Sequence, residues 1–352
     1  MGQPAAIVMR VFAHLPPFER PSPAGPRLVN SNRALYSERG EKAVSNQAPE
    51  LISLDWGTSS LRAYLADADG APLAEISSEK GALSLRPGEH EPYLSSVLRE
   101  WKTRHPNLPI VASGMVGARH GWIEAPYAEC PAGFAEIASA TVLAPSAELG
   151  DVRVLPGVSG RDARGAPDVM RGEETQILGA LAAERRDAGV FVLPGTHSKW
   201  ARVEGGRIVG FETFMTGEAF AAFKDHTVLG LMMAPAVAPG EPTGFTLGVD
   251  AAAALERPGD LLHAAFMTRT FGLFGQLAPD QLAEYLSGLL VGAEILAGAR
   301  GANSATVIGA PALVQRYRTA GARLGVELTP APAHCATRGQ IAVLKAISDA
   351  RR

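Results

Sequence analysis

Apolar and polar positions change period several times along this chain, and the changes place its elements. Residues 51–56 (LISLDW) form a short run dense in apolar side chains, and residues 61–67 (LRAYLAD) form another. Both read as strands. Between them stands the polar turn Gly57, Thr58, Ser59, Ser60, and Asp69-Gly70 turns the chain again into a strand over 73–77. A helical period follows over 91–104, then a buried strand over 109–113.

The same sequence of elements returns. Residues 190–194 (VFVLP) read as a strand, Gly195, Thr196, His197 and Ser198 as a turn, and 199–203 (KWARV) as the next strand. Gly205-Gly206 then turns the chain into 207–214. The two segments superpose without gaps at an offset of 138 residues, matching Gly57 with Gly195, Thr58 with Thr196 and Ser60 with Ser198. Such self-similarity is the mark of a duplicated structural unit. Helical periods follow at 217–230, 246–257, 260–274 and 280–299, then a strand at 305–308, a helix to about 321, a strand at 324–329 and a helix at 338–349. Strands alternating with helices in two related halves predict an α/β protein with a cleft between lobes.

Composition narrows the functional classes. The 352 residues suffice for two domains, and 46% hydrophobic with 20% charged residues is the balance of a globular protein with a substantial core. A formal net charge of −3 argues against nucleic acid as the main partner, though local cations can still hold an anionic substrate. The two cysteines, Cys130 and Cys335, stand at no metal-ligand spacing, so a reducing cytoplasm is the expected compartment. No stretch of 18 or more apolar residues is expected to span a bilayer. Residues 1–48, with Pro16, Pro17, Pro21, Pro23 and Pro26, read as a poorly ordered extension. The organisation expected is that extension, a first lobe over 49–185 and a second over 186–352.

The turns carry the candidate chemistry. A phosphate chain needs inward-pointing N–H groups and no bulky Cβ where the backbone approaches, and threonine and serine add hydroxyls. Both hairpins have that composition, although a plain β-turn reads the same way when it stands alone. Asp55 ends the first strand, where one carboxylate is enough for Mg²⁺ bound mostly by phosphate oxygens and water. Other nucleotide signatures are absent: there is no G-x-x-x-x-G-K-[ST], no G-x-G-x-x-G after a strand, and no protein-kinase set.

Residues 170–176 (MRGEETQ) form a second constellation at a helix start. Acidic residues there can simply answer the helix dipole. Placed behind Arg171 and Gly172, a carboxylate can also accept a proton from an attacking hydroxyl. Lys199 is placed to offset phosphate charge. Ser113, Gly114 and Met115 open a glycine-rich loop after a buried strand, a common pocket former and equally a structural loop packed by Met115 and Trp122. Gly309 and Ala310, after the corresponding late strand, are candidates for the nucleotide base. Residues 213–218 (TFMTGE) are a polar break that faces the cleft or only caps the next helix.

Five segments in order, 54–62 (LDWGTSSLR), 113–117 (SGMVG), 169–176 (VMRGEETQ), 194–200 (PGTHSKW) and 285–294 (YLSGLLVGAE), resemble the 2-dehydro-3-deoxygalactonokinase family across residues 49–349. That family belongs to the superfamily of sugar kinases, heat-shock chaperones and actin. The resemblance implies two ribonuclease-H-like lobes with ATP in the cleft, and transfer of its γ-phosphate to the 6-hydroxyl of 2-dehydro-3-deoxy-D-galactonate in galactose or galactonate breakdown. It makes 55–60 the first phosphate motif, 195–198 the second and Gly309-Ala310 the adenosine motif, with Ala310 where a second glycine is often found. By similarity to the Gly-Asp-Gln stretch of glycerol and xylulose kinases, Glu173 is the general base. Arg171 is then placed to pair the substrate carboxylate, with Glu174 and the loop at Ser113, Gly114 and Met115 beside the sugar. The expected partner is a small sugar acid, with no nucleic acid and no membrane, and the expected assembly is a homodimer. Two readings stay open: a kinase of another sugar, sugar acid or polyol, and an ATP-binding regulatory or assembly protein that transfers nothing to a small molecule.

Overall fold

The two repeats build two sheets. In the computed structural model, which describes residues 48–162, 164–235, 243–350 and 352, the first repeat forms β1 (Leu51–Trp56), β2 (Leu61–Ala66), β3 (Pro72–Ser78), α1 (His90–Arg104) and β4 (Ile110–Ser113). After β5 (Tyr127–Glu129) and α2 (Phe134–Ser139), the strands β6 (Val142–Ala144) and β7 (Val152–Val154) complete a six-stranded sheet in the order β3-β2-β1-β4-β7-β6. Strands β8 (Gly157–Arg161) and β9 (Pro167–Met170) join β5 in a small separate sheet, and β9 leads into α3 (Glu173–Glu184). The extension expected over residues 1–48 lies outside the described residues, Ala48 apart.

The second repeat gives β10 (Gly189–Leu193), β11 (Ser198–Glu204) and β12 (Arg207–Phe214), then the helices α4 (Thr216–His226), α5 (Thr243–Ala253), α6 (Asp260–Leu273) and α7 (Pro279–Ala299). It closes with β13 (Ser304–Val307), α8 (Pro311–Leu324), β14 (Glu327–Pro330) and α9 (Cys335–Asp349). Its sheet runs β12-β11-β10-β13-β14, the same order as β3-β2-β1-β4-β7 in the first. In each, an antiparallel meander is followed by parallel strands added on the other side of the first strand. The fold is therefore the expected α/β architecture of two ribonuclease-H-like lobes.

Among the described residues four cores hold this arrangement. One lies between the first sheet and α1, around Ile52, Leu54, Trp56, Leu94 and Leu98. A second packs β10, β11 and β13 against α5, α7 and α8. The third joins the repeats, with Leu51 and Val111 on one side, Phe191 and Ala201 on the other, and α3 and α9 contributing Ile177, Leu181, Ile341 and Val343. The fourth lies between α6 and α7 around Ala264, Tyr285, Leu286 and Leu289. Strands covered on both faces read as continuous apolar runs rather than alternations, as β1 does.

Several boundaries differ from the expectation for local reasons. Helix α8 continues to Leu324, and the strand after it starts at Glu327, because Gly325 ends the helix with a φ of 75°. Helix α4 stops at His226, and a short 3₁₀ turn over Gly230–Met232 replaces its expected last turn. Helix α7 has 21 residues, and its most apolar 18-residue stretch has a mean hydropathy of 1.4, enough by length and composition alone to cross a membrane, contrary to the expectation. Two-thirds of its apolar window (67%) is buried inside the protein, which is the pattern of a core helix.

Candidate active site

The two hairpins are not equivalent in register. In the first, Leu54 faces Ala63 and Trp56 faces Leu61. In the second, Val192, which the offset of 138 matches with Leu54, faces Trp200 rather than Ala201. Pro194 occupies the position of Trp56 and has no N–H to give a ladder, so pairing ends at Leu193 and the turn is one residue longer. Neither Gly57 nor Gly195 is demanded by the protein's own packing. A Cβ on Gly195 would meet nothing within 4 Å, and one on Gly57 only Ser60 O at 3.7 Å. Space is thus left on the ligand side of both turns, where Thr58, Ser59, Ser60, Thr196 and His197 are exposed.

Each turn is backed from below by a glycine: Gly81, which the sequence reading passed over, and Gly217, which stands in the polar break read over 213–218. A Cβ on Gly81 would stand 2.0 Å from Thr58 O, and one on Gly217 2.5 Å from Gly195 O. Both residues follow the third strand of their repeat, so the duplication extends past the aligned segment, with a gap of two residues. The backbone reinforces each contact, Gly57 O accepting from Ala82 N–H and Thr196 O from Glu218 N–H.

Four of the expected residues converge beside the first turn. Asp55 pairs with Ser113 across β1 and β4, which brings Gly114 next to it. Gly114 (φ 96°) and Gly172 (φ 106°) take left-handed conformations and abut: a Cβ on Gly172 would lie 3.4 Å from Gly114 Cα. The positive φ favours glycine at both positions, and at Gly114 the backbone oxygen of Trp56 excludes a Cβ as well. Asp55 Oδ1 is 3.7 Å from the Cβ position of Gly114, and Trp56 O only 2.9 Å. Burial holds the Asp55 carboxyl above its ordinary value; Arg62 opposes this and Glu173 adds to it. From the other repeat comes Lys199, whose Nζ is 3.7 Å from Glu173 Oε1 and donates to His197 O at 3.1 Å. Glu173 Oε2 accepts from Arg171 N–H at 2.9 Å.

The remaining candidates are placed differently. Glu174 is fully buried, accepting from Gly172 N–H at 2.7 Å and Thr175 Oγ1 at 2.8 Å. Burial, then the charge of Glu173, pushes its carboxyl up to about 7. Arg171 lies beside the loop after β4: it donates to Ala125 O at 2.8 Å and stacks 4.3 Å over Tyr127. Its Nε and Nη1 are buried without a hydrogen-bond partner among the described residues. Ser113 is buried and accepts from Gln340 Nε2 at 2.9 Å, while the same amide donates to Leu54 O at 2.9 Å. Met115 packs at the edge of the first core. Ser198 differs most from expectation, because its hydroxyl is turned into the lobe against Tyr317 and not toward the cleft. Gly309 approaches Pro194 at the foot of the second turn (3.6 Å from its Cβ position), and Ala310 caps α8. None of these residues lines the surface depressions around Lys345 or around Arg318.

A family model described as 2-keto-3-deoxy-galactonokinase matches residues 55–343. The chain belongs to the 2-keto-3-deoxy-galactonokinase family. It is accordingly a phosphotransferase of the sugar-kinase kind that uses ATP. Among its relatives, a protein of Rhizobium meliloti designated a probable 2-dehydro-3-deoxygalactonokinase is 40% identical over 84% of this chain and 96% of its own length. The 2-dehydro-3-deoxygalactonokinase of Escherichia coli is 34% identical over 79% of this chain and 91% of its own. A crystal structure carrying the 2-dehydro-3-deoxygalactonokinase designation, from Sinorhizobium meliloti, superposes with a TM-score of 0.74 at 36% identity, covering 84% of this chain and 99% of that one. The matched span takes in every candidate residue of the kinase site and the backing glycines Gly81 and Gly217.

Proposed function

We propose that this family member transfers the γ-phosphate of ATP to the 6-hydroxyl of 2-dehydro-3-deoxy-D-galactonate, yielding the 6-phosphate and ADP in the breakdown of galactose or galactonate. The names of its relatives support the substrate. The observation that carries the chemistry is the placement of Glu173 and Lys199, 3.7 Å apart, beside Asp55 and the Gly114–Gly172 contact. Phosphoryl transfer depends on in-line positioning and charge stabilisation more than on covalent help from the protein. In this reading the sugar hydroxyl oxygen bonds to the γ-phosphorus and the bond to the bridging oxygen of ADP breaks. The hydroxyl proton passes to Glu173, and Lys199 offsets charge on the phosphate. The turns at 57–60 and 195–198 hold the phosphates, and Gly309 with Ala310 stands on the nucleotide's side.

The donor set fits Mg²⁺. Asp55 is a half-buried carboxylate near a second one, Glu173, and a cation beside it would relieve both desolvation and repulsion. Among the described residues no cluster of three or more His, Cys, Asp or Glu is built to cage a metal. That suits an ion held by one carboxylate together with phosphate oxygens and water, where it would neutralise phosphate charge. Arg171, with two buried N–H groups free of partners among the described residues, is assigned to the carboxylate end of the sugar acid. Ser113, Gly114, Met115 and Glu174 shape and support that side. A division of the lobes near residue 185, a homodimeric assembly and a cytoplasmic setting belong to the same proposal.

The test is turnover by Glu173→Gln with ADP formation as the readout. Wild type should require both Mg²⁺ and a 2-keto-3-deoxy acid, and the variant should lose at least about a hundredfold in kcat with ATP affinity kept. Full activity in the variant removes Glu173 from the role of base. Phosphorus NMR on a panel of keto-deoxy acids, aldonates and neutral sugars then identifies the acceptor, and preference for a neutral sugar overturns the assignment of substrate.

A further inference from the structure

Helix α7 carries one acid deep in an apolar run. Glu294 is 3% exposed, and no cation pairs with it among the described residues. A buried carboxylate is costly, and a core role alone would be filled by an apolar residue of similar volume. Its carboxylate gathers donors from Thr216, Tyr317, Trp200 and Ser198. Trp200 Nε1 on β11 donates to Glu294 Oε1 at 2.9 Å, and Tyr317 Oη on α8 donates to Oε2 at 2.7 Å. While Tyr317 gives its one hydroxyl proton to the carboxylate, the 3.2 Å contact between Tyr317 Oη and Ser198 Oγ takes its proton from the serine, whose hydroxyl also lies 3.5 Å from Gly195 O. Ser198 Oγ in turn accepts from Gly195 N–H at 3.2 Å. Read outward, a hydrogen-bonded chain runs from Glu294 through Tyr317 and Ser198 to Gly195 at the head of the second turn. Burial and the neighbouring acid hold the Tyr317 phenol far above its ordinary value, which keeps it a donor. The first turn has no such chain, for Ser60 lies in solvent.

We propose that Glu294 is a positioning residue for the nucleotide: through Tyr317 and Ser198 it fixes the turn 195–198 for the ATP phosphates, while through Trp200 it anchors the strand that leaves the turn. The inference rests on the reading of that turn as a phosphate grip. Hydrogen-bonded chains of this kind are non-additive, since removing any link breaks the whole.

The experiment uses the full chain, with ATP binding measured by calorimetry and steady-state kinetics in which ATP and sugar acid are varied separately. Tyr317→Phe keeps the ring and removes one hydroxyl. It should weaken ATP binding and raise the KM for ATP about tenfold, the scale of one buried partner left unsatisfied, with the KM for the sugar acid within about twofold. Ser198→Ala should behave likewise, and the double variant no worse than the poorer single one. Glu294→Gln, which presents an amide donor to the existing donors, should reproduce the pattern. Unchanged ATP binding in Tyr317→Phe overturns the proposal, as do equal rises in both KM values or multiplying effects in the double variant. Calorimetry separates this from the proposed reaction: if wild type binds ATP, the variants decide the inference whatever sugar is phosphorylated. If wild type binds no ATP, the grip and the inference fall together.

Discussion

At the end of β1 the chain places Asp55 and leaves Ser60 in solvent; at the matching positions of β10 and β11 it has Leu193 and an inward-turned Ser198. Leu61 and Lys199 form the complementary pair, with the cation only in the second repeat. Both turns retain the glycine on the ligand side and a glycine beneath. The duplicated part is thus the backbone cradle, and the charges have been divided, the carboxylate to one repeat and the ammonium to the other. In the proposed reaction that division lets the first turn face a metal ion and the second a phosphate, something two identical turns could not do. The second turn, one residue longer and cut from the ladder by Pro194, is also the one with a hydrogen-bonded chain beneath it.

The comparison can be broken most directly at Asp55. Asp55→Asn should lower kcat by about 10²–10³-fold if the first turn works through a metal, and excess Mg²⁺ should recover part of the loss; wild-type turnover at ordinary Mg²⁺ would mean that the two turns do the same work. A second measurement asks whether excess acid sits beside the first turn. Glu174 titrates near 7 in the fold against 4.5 ordinarily, so between these values the native state holds a proton that the unfolded chain has released. Stability therefore falls as pH rises through that window, by about 3 kcal/mol from this residue in total. Glu174→Gln mimics the protonated acid and should flatten the decline when urea denaturation is followed from pH 5 to pH 8. A parallel decline in variant and wild type would remove Glu174 as its source. Third, the backing glycines sharpen the likeness of the turns. Gly81→Ala should cost about 1–3 kcal/mol and Gly217→Ala less, in the order of their 2.0 and 2.5 Å overlaps. Thermal melts that reverse the order would show that the second cradle is the tighter one.

Much of this could be read from the sequence because it is local. The turns, Asp55, the strands beside them and the repeat at 138 residues all lie within short segments whose alternation and glycine placement speak for themselves. The small sheet of β5, β8 and β9 escaped, since three strands of three to five residues carry too few positions to show a period. The backing role of Gly81 and Gly217 escaped, although Gly217 lies in the polar break at 213–218, because a glycine that backs a turn looks like any other glycine until the two backbones meet. A gapless superposition also hides the register difference, which depends on which residues pair and not on which residues align. Glu294 left a signal, a lone acid within the apolar face of α7, but its partners Trp200 and Tyr317 lie 94 and 23 residues away. Gln340 left none.

That glutamine bears on how the protein is made. Its amide ties Leu54, the residue before Asp55, to Ser113, across sequence separations of 286 and 227 residues. On the ribosome β1 and β4 are complete long before α9 is synthesised, so the carboxylate end of the first sheet waits for almost the whole chain before it is fastened. Nascent chains halted before Cys335 should contain both turns and still lack a finished site, and the same α9 face, with Ile341 and Val343, would leave the core between the repeats uncovered.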